Sequence, residues 1–177
     1  MNHTKVKTFL EVATNVAVLL VALVFLGSFV WHYFAPAEKV GIVSGLSKGA
    51  MFSSLPGMNY KDAGQTLILA LSSKCDFCTE NMPFYKQLIE SQRHNQNFTR
   101  IVGVFPDTEN EIQRYIQEWK LNLETIPDMD FNELNLAATP TLILVDRSGK
   151  ILDFWIGKPS EEVQQQIIKT ISIGAGI

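Results

Sequence analysis

Cys75 and Cys78 are the two cysteines of this 177-residue chain, and they stand three apart in the stretch Ser73-Lys74-Cys75-Asp76-Phe77-Cys78-Thr79-Glu80. Side chains at i and i+3 on the first turn of a helix are neighbours, and a disulfide needs Cα atoms about 5.5 Å apart, so this pair can bond with little backbone movement. As a staple the bond would do little. Closing a four-residue loop is worth roughly 2 kcal/mol at best, against more than about 4 for a bridge across most of a domain. The close spacing suits reversible thiol chemistry instead.

A helix start supplies the activation. Unpaired backbone N–H groups and the positive end of the helix dipole favour a thiolate at the N-terminal cysteine, and Lys74 adds a cation beside it. Cys75 is therefore the expected nucleophile. Cys78, one turn further in and shielded by the helix, is the expected resolving thiol, which attacks the mixed disulfide. Asp76 opposes ionisation of Cys75 while stabilising the helix end on which it sits.

The elements that must position this pair are legible as hydrophobic patterns. Thr66 to Leu71 (TLILAL) is a continuous apolar run of strand length, and the cysteines follow it directly. A helix is expected from about Cys78 to Arg93, with Phe84/Leu88 and Tyr85/Ile89 at i, i+4. Ile101 to Phe105 (IVGVF) reads as a second buried strand. Thr108-x-x-Glu111 is a capping box ahead of Ile112, Tyr115, Ile116 and Trp119, which share one helical face. Thr141 to Val145, the turn Asp146-Arg147-Ser148-Gly149 and Lys150 to Ile156 predict a β-hairpin. Ser160 starts a last helix bearing Val163, Ile167 and Ile171. The expected order is β-α-β-α-β-β-α, with the cysteines at the carboxyl end of the first strand, where open α/β sheets usually place chemistry.

The N-terminal part is of another kind. Val12 to Phe34 carries no formal charge and is apolar almost throughout. At about 1.5 Å per residue it is long enough to cross a hydrocarbon core of about 30 Å. Lys5 and Lys7 precede it, and Trp31, Tyr33 and Phe34 close it as an interfacial aromatic cluster. The expected layout is a cytoplasmic 1–11, a transmembrane anchor 12–34, a linker and N-terminal extension 35–64, and a folded domain 65–177. Ala35-Pro36-Ala37 has the form of a signal-peptide cleavage site, but signal h-regions are shorter, which favours a retained anchor. The net charge of −3 gives no reason to expect nucleic acid as a partner.

Strand, Cys-x-x-Cys, helix, and a later Thr139-Pro140 just before a strand together resemble the thioredoxin superfamily, and within it the membrane-anchored, exported proteins of the TlpA/ResA kind. CDFCTENMPFYKQL has that family's proline five residues after the second cysteine, Pro83, and ATPTLILVDRSGKI is similar to its cis-proline loop and hairpin. The likeness covers about Gln65 to Ile171. It implies an α/β fold with a central mixed sheet flanked by helices, here preceded by one transmembrane helix. It also implies a cis Pro140 beside the cysteines, with Thr139 offering backbone groups to an extended substrate segment; Phe77, Trp119 and Trp155 read as packing or groove residues, and Phe77 is the expected substrate contact.

The activity implied is thiol–disulfide exchange with exported protein thiols and disulfides, in the reducing direction, without a bound cofactor. A membrane or periplasmic redox partner would supply electrons, in an inner-membrane, single-pass protein whose domain is periplasmic. The chain also departs from the pattern. Lys74 stands where many relatives have tryptophan, and Asn81 where many have an acid. Leu69 falls where thioredoxins hold a buried acid. Glu80, one position before Asn81, is a candidate replacement, with a solvated first-turn glutamate as the plainer reading. An alternative function is a soft-metal module holding Cu(I) on the two thiolates, with Met82 nearby. His3, His32 and His94 have no spacing to the cysteines that suggests a zinc site.

Overall fold

A computed structural model describes residues 16, 18–21, 23, 25, 26, 45–92 and 99–173, and the chain divides into two compact units, 1–41 and 42–177. In the first, the described residues are helical, and their large apolar side chains are exposed, from Val16 at 50% to Phe25 at 73%. The rest of the expected span 12–34 lies outside the described residues. Among the described residues, no helix is long and apolar enough to cross a membrane.

The second unit is built on a five-stranded mixed sheet. Its elements are β1 (Gln65–Ala70), α1 (Asp76–Glu80), α2 (Met82–Gln92), β2 (Thr99–Val104), α3 (Glu109–Glu118), β3 (Glu124–Ile126), β4 (Thr141–Asp146), β5 (Ile151–Ile156) and α4 (Glu161–Ile173). The strand order is β3-β2-β1-β4-β5. β1, β2 and β3 run parallel, while β4 pairs antiparallel with both β1 and β5. β1 thus lies at the centre and is buried along its whole length, which is why its sequence shows no polar alternation.

Alternate residues of β1 serve two cores. Leu67 and Leu69 face a helical layer in which Leu88 of α2, Ile112 of α3, and Ile167 and Ile171 of α4 are buried. Ile68 and Ala70 face the opposite side, which among the described residues no α-helix covers. There Leu46, Phe52 and Leu55 from the segment before β1, and Leu134 and Leu136 from the segment between β3 and β4, form the second layer.

The folded unit therefore begins ahead of the expected start at Gln65. The earlier segment is stitched on by main-chain bonds from Gly49 N to Ile151 O (2.8 Å), from Phe52 N to Gly149 O (2.8 Å), and from Ile151 N to Ala50 O (2.8 Å). Burying Leu46, Phe52 and Leu55 is worth about 1.5–3 kcal/mol each, so this segment is part of the fold and not a tether.

Two further differences have local causes. The expected helix over 78–93 starts earlier, at Asp76, and breaks at Asn81 before resuming at Met82. Pro83 explains the break, since it has no N–H to give to the Thr79 carbonyl and is tolerated only in the first turn of a new helix. The short strand β3 was not anticipated. Its three residues pair with Val102, Gly103 and Val104 of β2.

Candidate active site

Cys75 is reached by a tight turn out of β1. Cys75 N donates to Ser72 O (3.2 Å), Lys74 N donates to the Ser72 hydroxyl oxygen (3.2 Å), and Leu71 N donates to Val104 O of β2 (3.0 Å). The turn delivers Cys75 as the N-cap of α1, in extended conformation (φ −102°, ψ 110°). In that position its Sγ accepts a hydrogen bond from the Cys78 amide at 3.1 Å, the place that a capping oxygen would fill. Because α1 has five residues, this single local amide replaces the long-helix dipole as the group that meets a thiolate here. The Cys75 thiol also lies 3.5 Å from the Thr139 carbonyl oxygen, which accepts from it.

The two sulfurs differ sharply in access. Both cysteines are free thiols, Cys75 half-buried and Cys78 with no exposed surface. Burial pushes the Cys78 thiol up to about 12; the neighbouring Cys75 side chain adds to the shift, and the Ser72 amide and Thr139 side chain partly offset it. Pro140 follows Thr139 through a cis peptide bond, and its carbonyl accepts from Gly157 N at 2.7 Å, which ties this loop to the end of β5.

The remaining expected site residues lie at the rim. Phe77 is 60% exposed between the cysteines, and Asp76 is exposed as the first residue of α1. Lys74 directs its ammonium to Glu111 of α3 at 3.1 Å. That carboxylate already accepts from the Thr108 amide (2.9 Å) and hydroxyl (2.8 Å) in the expected capping box, so the Lys74 cation is shared with α3. Glu80 is exposed and paired with Lys158 at 2.9 Å; it is not among the groups that set the Cys78 thiol. Leu69 is fully buried and apolar, and Met82 is buried in the same core as Cys78. Trp119 packs at the margin of the helical core with Lys86 over its ring, and Trp155 is half-buried on β5.

Behind Cys78 the surroundings are polar but neutral. Asn81 is 2% exposed, and neither its side-chain nitrogen nor the buried Tyr85 hydroxyl has a hydrogen-bond partner among the described residues. Burial raises Tyr85 well above the usual phenol range, with the cysteines contributing and the Asn81 amide opposing. Tyr115 is pushed up to about 12 by burial, against the opposing effect of its contact with the Thr79 hydroxyl at 3.4 Å. In the sequence, Asn81 stands out only as the place where many relatives have an acid, and Tyr85 and Tyr115 only as helix-face residues, although Cys78, Asn81 and Tyr85 sit at i, i+3 and i+7.

A parallel strand opening into a capped Cys-x-x-Cys, with a cis-proline loop facing the first sulfur, defines a thioredoxin-like fold carrying a free dithiol. Solved structures share this fold. A protein described as a thiol:disulfide interchange protein DsbE, from Chlorobium tepidum, superposes with a TM-score of 0.59 at 21% identity, covering 73% of this chain and 99% of its own. A thiol:disulfide interchange protein from Bacteroides sp. gives 0.59 at 18% identity over 73% and 93%. The thioredoxin domain of a thiol-disulfide oxidoreductase from Bacteroides vulgatus gives 0.55 at 20% identity over 71% and 99%. No family model matches the sequence, and no curated protein matches it significantly.

Proposed function

We propose that this chain is a membrane-tethered thiol–disulfide oxidoreductase that reduces disulfides in exported proteins. The observation that carries the reading is the asymmetry of the two sulfurs: Cys75 is accessible and capped by an amide, and Cys78 is buried one turn behind it. Its similarity in fold to thiol:disulfide interchange proteins supports the same chemistry.

In the proposed reaction the Cys75 thiolate attacks one sulfur of a substrate disulfide. This forms a Cys75–substrate disulfide and releases the other substrate sulfur as a thiolate, which takes up a proton. Cys78 then loses its proton and attacks the Cys75 sulfur. The Cys75–Cys78 disulfide forms, the second substrate thiolate leaves, and two electrons have passed from the dithiol to the substrate. A dithiol donor at the membrane or in the exported space must reduce the enzyme again. Thr139, beside Cys75, offers backbone groups to which an extended substrate segment pairs, and Phe77 gives the substrate an apolar contact.

The anchor is part of the proposal. It is supported by the uncharged run 12–34 and by the exposed apolar side chains of the described helical residues there. In this reading the protein is a single-pass inner-membrane protein with its N-terminus cytoplasmic and its domain periplasmic, and resistance to extraction at alkaline pH tests the anchoring.

The exchange reaction is tested by Cys78→Ser, which should accumulate covalent, reductant-sensitive complexes with exported proteins that vanish when Cys75 is also replaced. A folded variant without such adducts would overturn the mechanism. Tight Cu(I) uptake by the reduced protein, with negligible exchange, would replace it with the metal-binding reading.

A further inference from the structure

The ion pair between Lys158 Nζ and Glu80 Oε2, 2.9 Å long, joins residues 78 positions apart on either side of the candidate site. Glu80 is the last residue of α1, the helix that Cys75 caps. Lys158 stands just past β5, next to Gly157, whose amide donates to the Pro140 carbonyl at 2.7 Å. Pro140 follows Thr139, whose carbonyl accepts from the Cys75 thiol at 3.5 Å. A closed circuit results: from Cys75 across to Thr139, through Pro140 to Gly157, from Lys158 across to Glu80, and back along α1 to Cys75.

The ion pair is the exposed link of that circuit, with side-chain exposures of 46% for Lys158 and 53% for Glu80. The backbone under both charges is anchored. Gly157 adopts φ 80°, which favours glycine. The Pro159 carbonyl accepts from the Gln164 side-chain amide of α4 at 3.1 Å, and a residue ahead of proline is confined to extended conformations. Glu80 is followed by the buried Asn81, and the turn ahead of Cys75 is tied down by Ser73 N, which donates to Asp107 at 3.0 Å. Holding two long side chains together is the usual cost of a surface pair, and here the chain beneath them adds little to it.

We propose that the Glu80–Lys158 ion pair is a latch that holds the cis-proline loop in register with the Cys75 sulfur, and so sets how fast an extended polypeptide is attacked. The proposal rests on the exchange reading above and deepens it. A polypeptide that pairs with Thr139 while its disulfide meets Cys75 needs both sides of the circuit in place, whereas a small disulfide needs Cys75 alone. Glu80 and Lys158 are positioning residues: they act through α1 and Gly157 and take no part in the exchange itself.

The test uses the reduced full-length protein in detergent and two substrates. Dithiobis(nitrobenzoate) releases two halves that absorb visible light: the first phase is attack by Cys75, and the second is resolution of the mixed disulfide by Cys78. The other substrate is an uncharged extended peptide whose single cysteine is joined to one nitrobenzoate thiol. Cys75 attacks the peptide sulfur, a Cys75–peptide disulfide forms, and the nitrobenzoate thiolate departs as the better leaving group. Glu80→Lys and Lys158→Glu each turn attraction into repulsion, and each should slow attack on the peptide about fivefold. The double variant Glu80→Lys/Lys158→Glu restores the pair with its charges exchanged, and should return to within about twofold of the parent. Neither phase with dithiobis(nitrobenzoate) should be slowed in both single variants. The two single variants change the local charge in opposite senses, so a direct effect of charge on the substrate would move their rates in opposite directions, and a common slowing isolates the pair.

Parental rates on the peptide in the single variants, shifts in opposite directions, a double variant as slow as the singles, or equal slowing with dithiobis(nitrobenzoate) would each overturn the proposal. If a reversed charge prevents folding, Glu80→Gln and Lys158→Gln decide, since they remove the pair without repulsion. Attack on the peptide slowed about two- to threefold in both supports the latch, and parental rates in both overturn it. A parent protein with no Cys75-dependent release from either substrate removes the exchange reading itself, and the latch with it.

Discussion

Burial, which pushes the Cys78 thiol up to about 12, makes the resolving step steeply dependent on pH. The perturbation is pH, varied from 6 to 9 on the mixed disulfide between Cys75 and a nitrobenzoate thiol. At pH 7 a thiol of pKa about 12 is ionised to about one part in 10⁵, and one near 9 to about one part in 10². Burial thus removes roughly a thousandfold of the nucleophile. A more basic thiolate is intrinsically more reactive, and a Brønsted slope of about 0.4–0.5 over three units returns roughly 15- to 30-fold. The net effect is a second phase slower at pH 7 than an unburied Cys78 would give by at most roughly 30- to 60-fold.

The mixed disulfide is the right species for this measurement. With Cys75 bonded to substrate, its own contribution to the Cys78 shift falls away, but burial, the largest cause, remains. The second phase should therefore rise about tenfold per pH unit and show no plateau up to pH 9. Rapid-mixing absorbance at a series of pH values separates the two phases. A plateau of the second phase below pH 9, or a second phase independent of pH, would refute the claim that burial governs Cys78.

Three further outcomes follow from particular side chains. Phe77→Ala removes a side chain that is 60% exposed, so the stability from urea unfolding should stay within about 0.5 kcal/mol of the parent. Reduction of protein disulfides should slow while reduction of dithiobis(nitrobenzoate) does not, and equal effects on both would argue against a substrate contact. Gly103→Ala would place a Cβ 2.7 Å from Phe105 Cε2 and 2.8 Å from Leu123 Cδ2; a cost of about 1–3 kcal/mol is expected in urea unfolding. Glu111 is lowered from 4.5 to about 2 by the Thr108 amide, then the Thr108 hydroxyl and Lys74. Since the folded value lies below the ordinary one, its contribution to stability is complete above about pH 4.5 and is lost as pH falls toward 2. Glu111→Gln should therefore flatten the fall of the urea midpoint over that range.

The parts of the fold that were legible in the sequence are those with a local signature. β1 and β2 are short unbroken apolar runs, α3 announces itself by Thr108 and Glu111, and the β4–β5 turn by Asp146 and Gly149. Gly149 adopts φ 85° there, a conformation that favours glycine. The cysteine pair follows one apolar run and Thr139-Pro140 precedes another, and it was the resemblance to the thioredoxin superfamily that placed the two together. Other features left no local trace. β3 is too short to show a period, and the coil that covers the second face of the sheet, through Phe52, Leu55, Leu134 and Leu136, has no repeat at all. The Ser73–Asp107 bond joins residues 34 positions apart, so nothing around either one signals the other. Pro83 did carry a signal for the break in the helix, but a proline near a helix start reads equally as a kink or a new first turn.

The neutral surroundings of Cys78 also bear on the direction of electron flow. In a dithiol couple, stabilising the reduced form as a thiolate makes the disulfide a stronger oxidant; withholding that stabilisation makes the dithiol a stronger reductant. Here Cys78 is fully buried, burial is the largest cause of its upward shift, the buried side chains of Asn81, Tyr85 and Tyr115 bear no charge, and Glu80 is paired at the surface with Lys158. The resolving sulfur is thus favoured as a neutral thiol or as half of a disulfide, and disfavoured as an anion. The couple should lie nearer the thioredoxin end of its fold's range, about −270 mV, than the strongly oxidising end near about −120 mV. Equilibration of the full-length protein with defined thiol buffers, following the Cys75–Cys78 disulfide, measures this. A potential close to the oxidising end would mean that Cys75 is stabilised as a thiolate by more than the single Cys78 amide, and it would reverse the proposed direction from reduction of exported proteins to their oxidation.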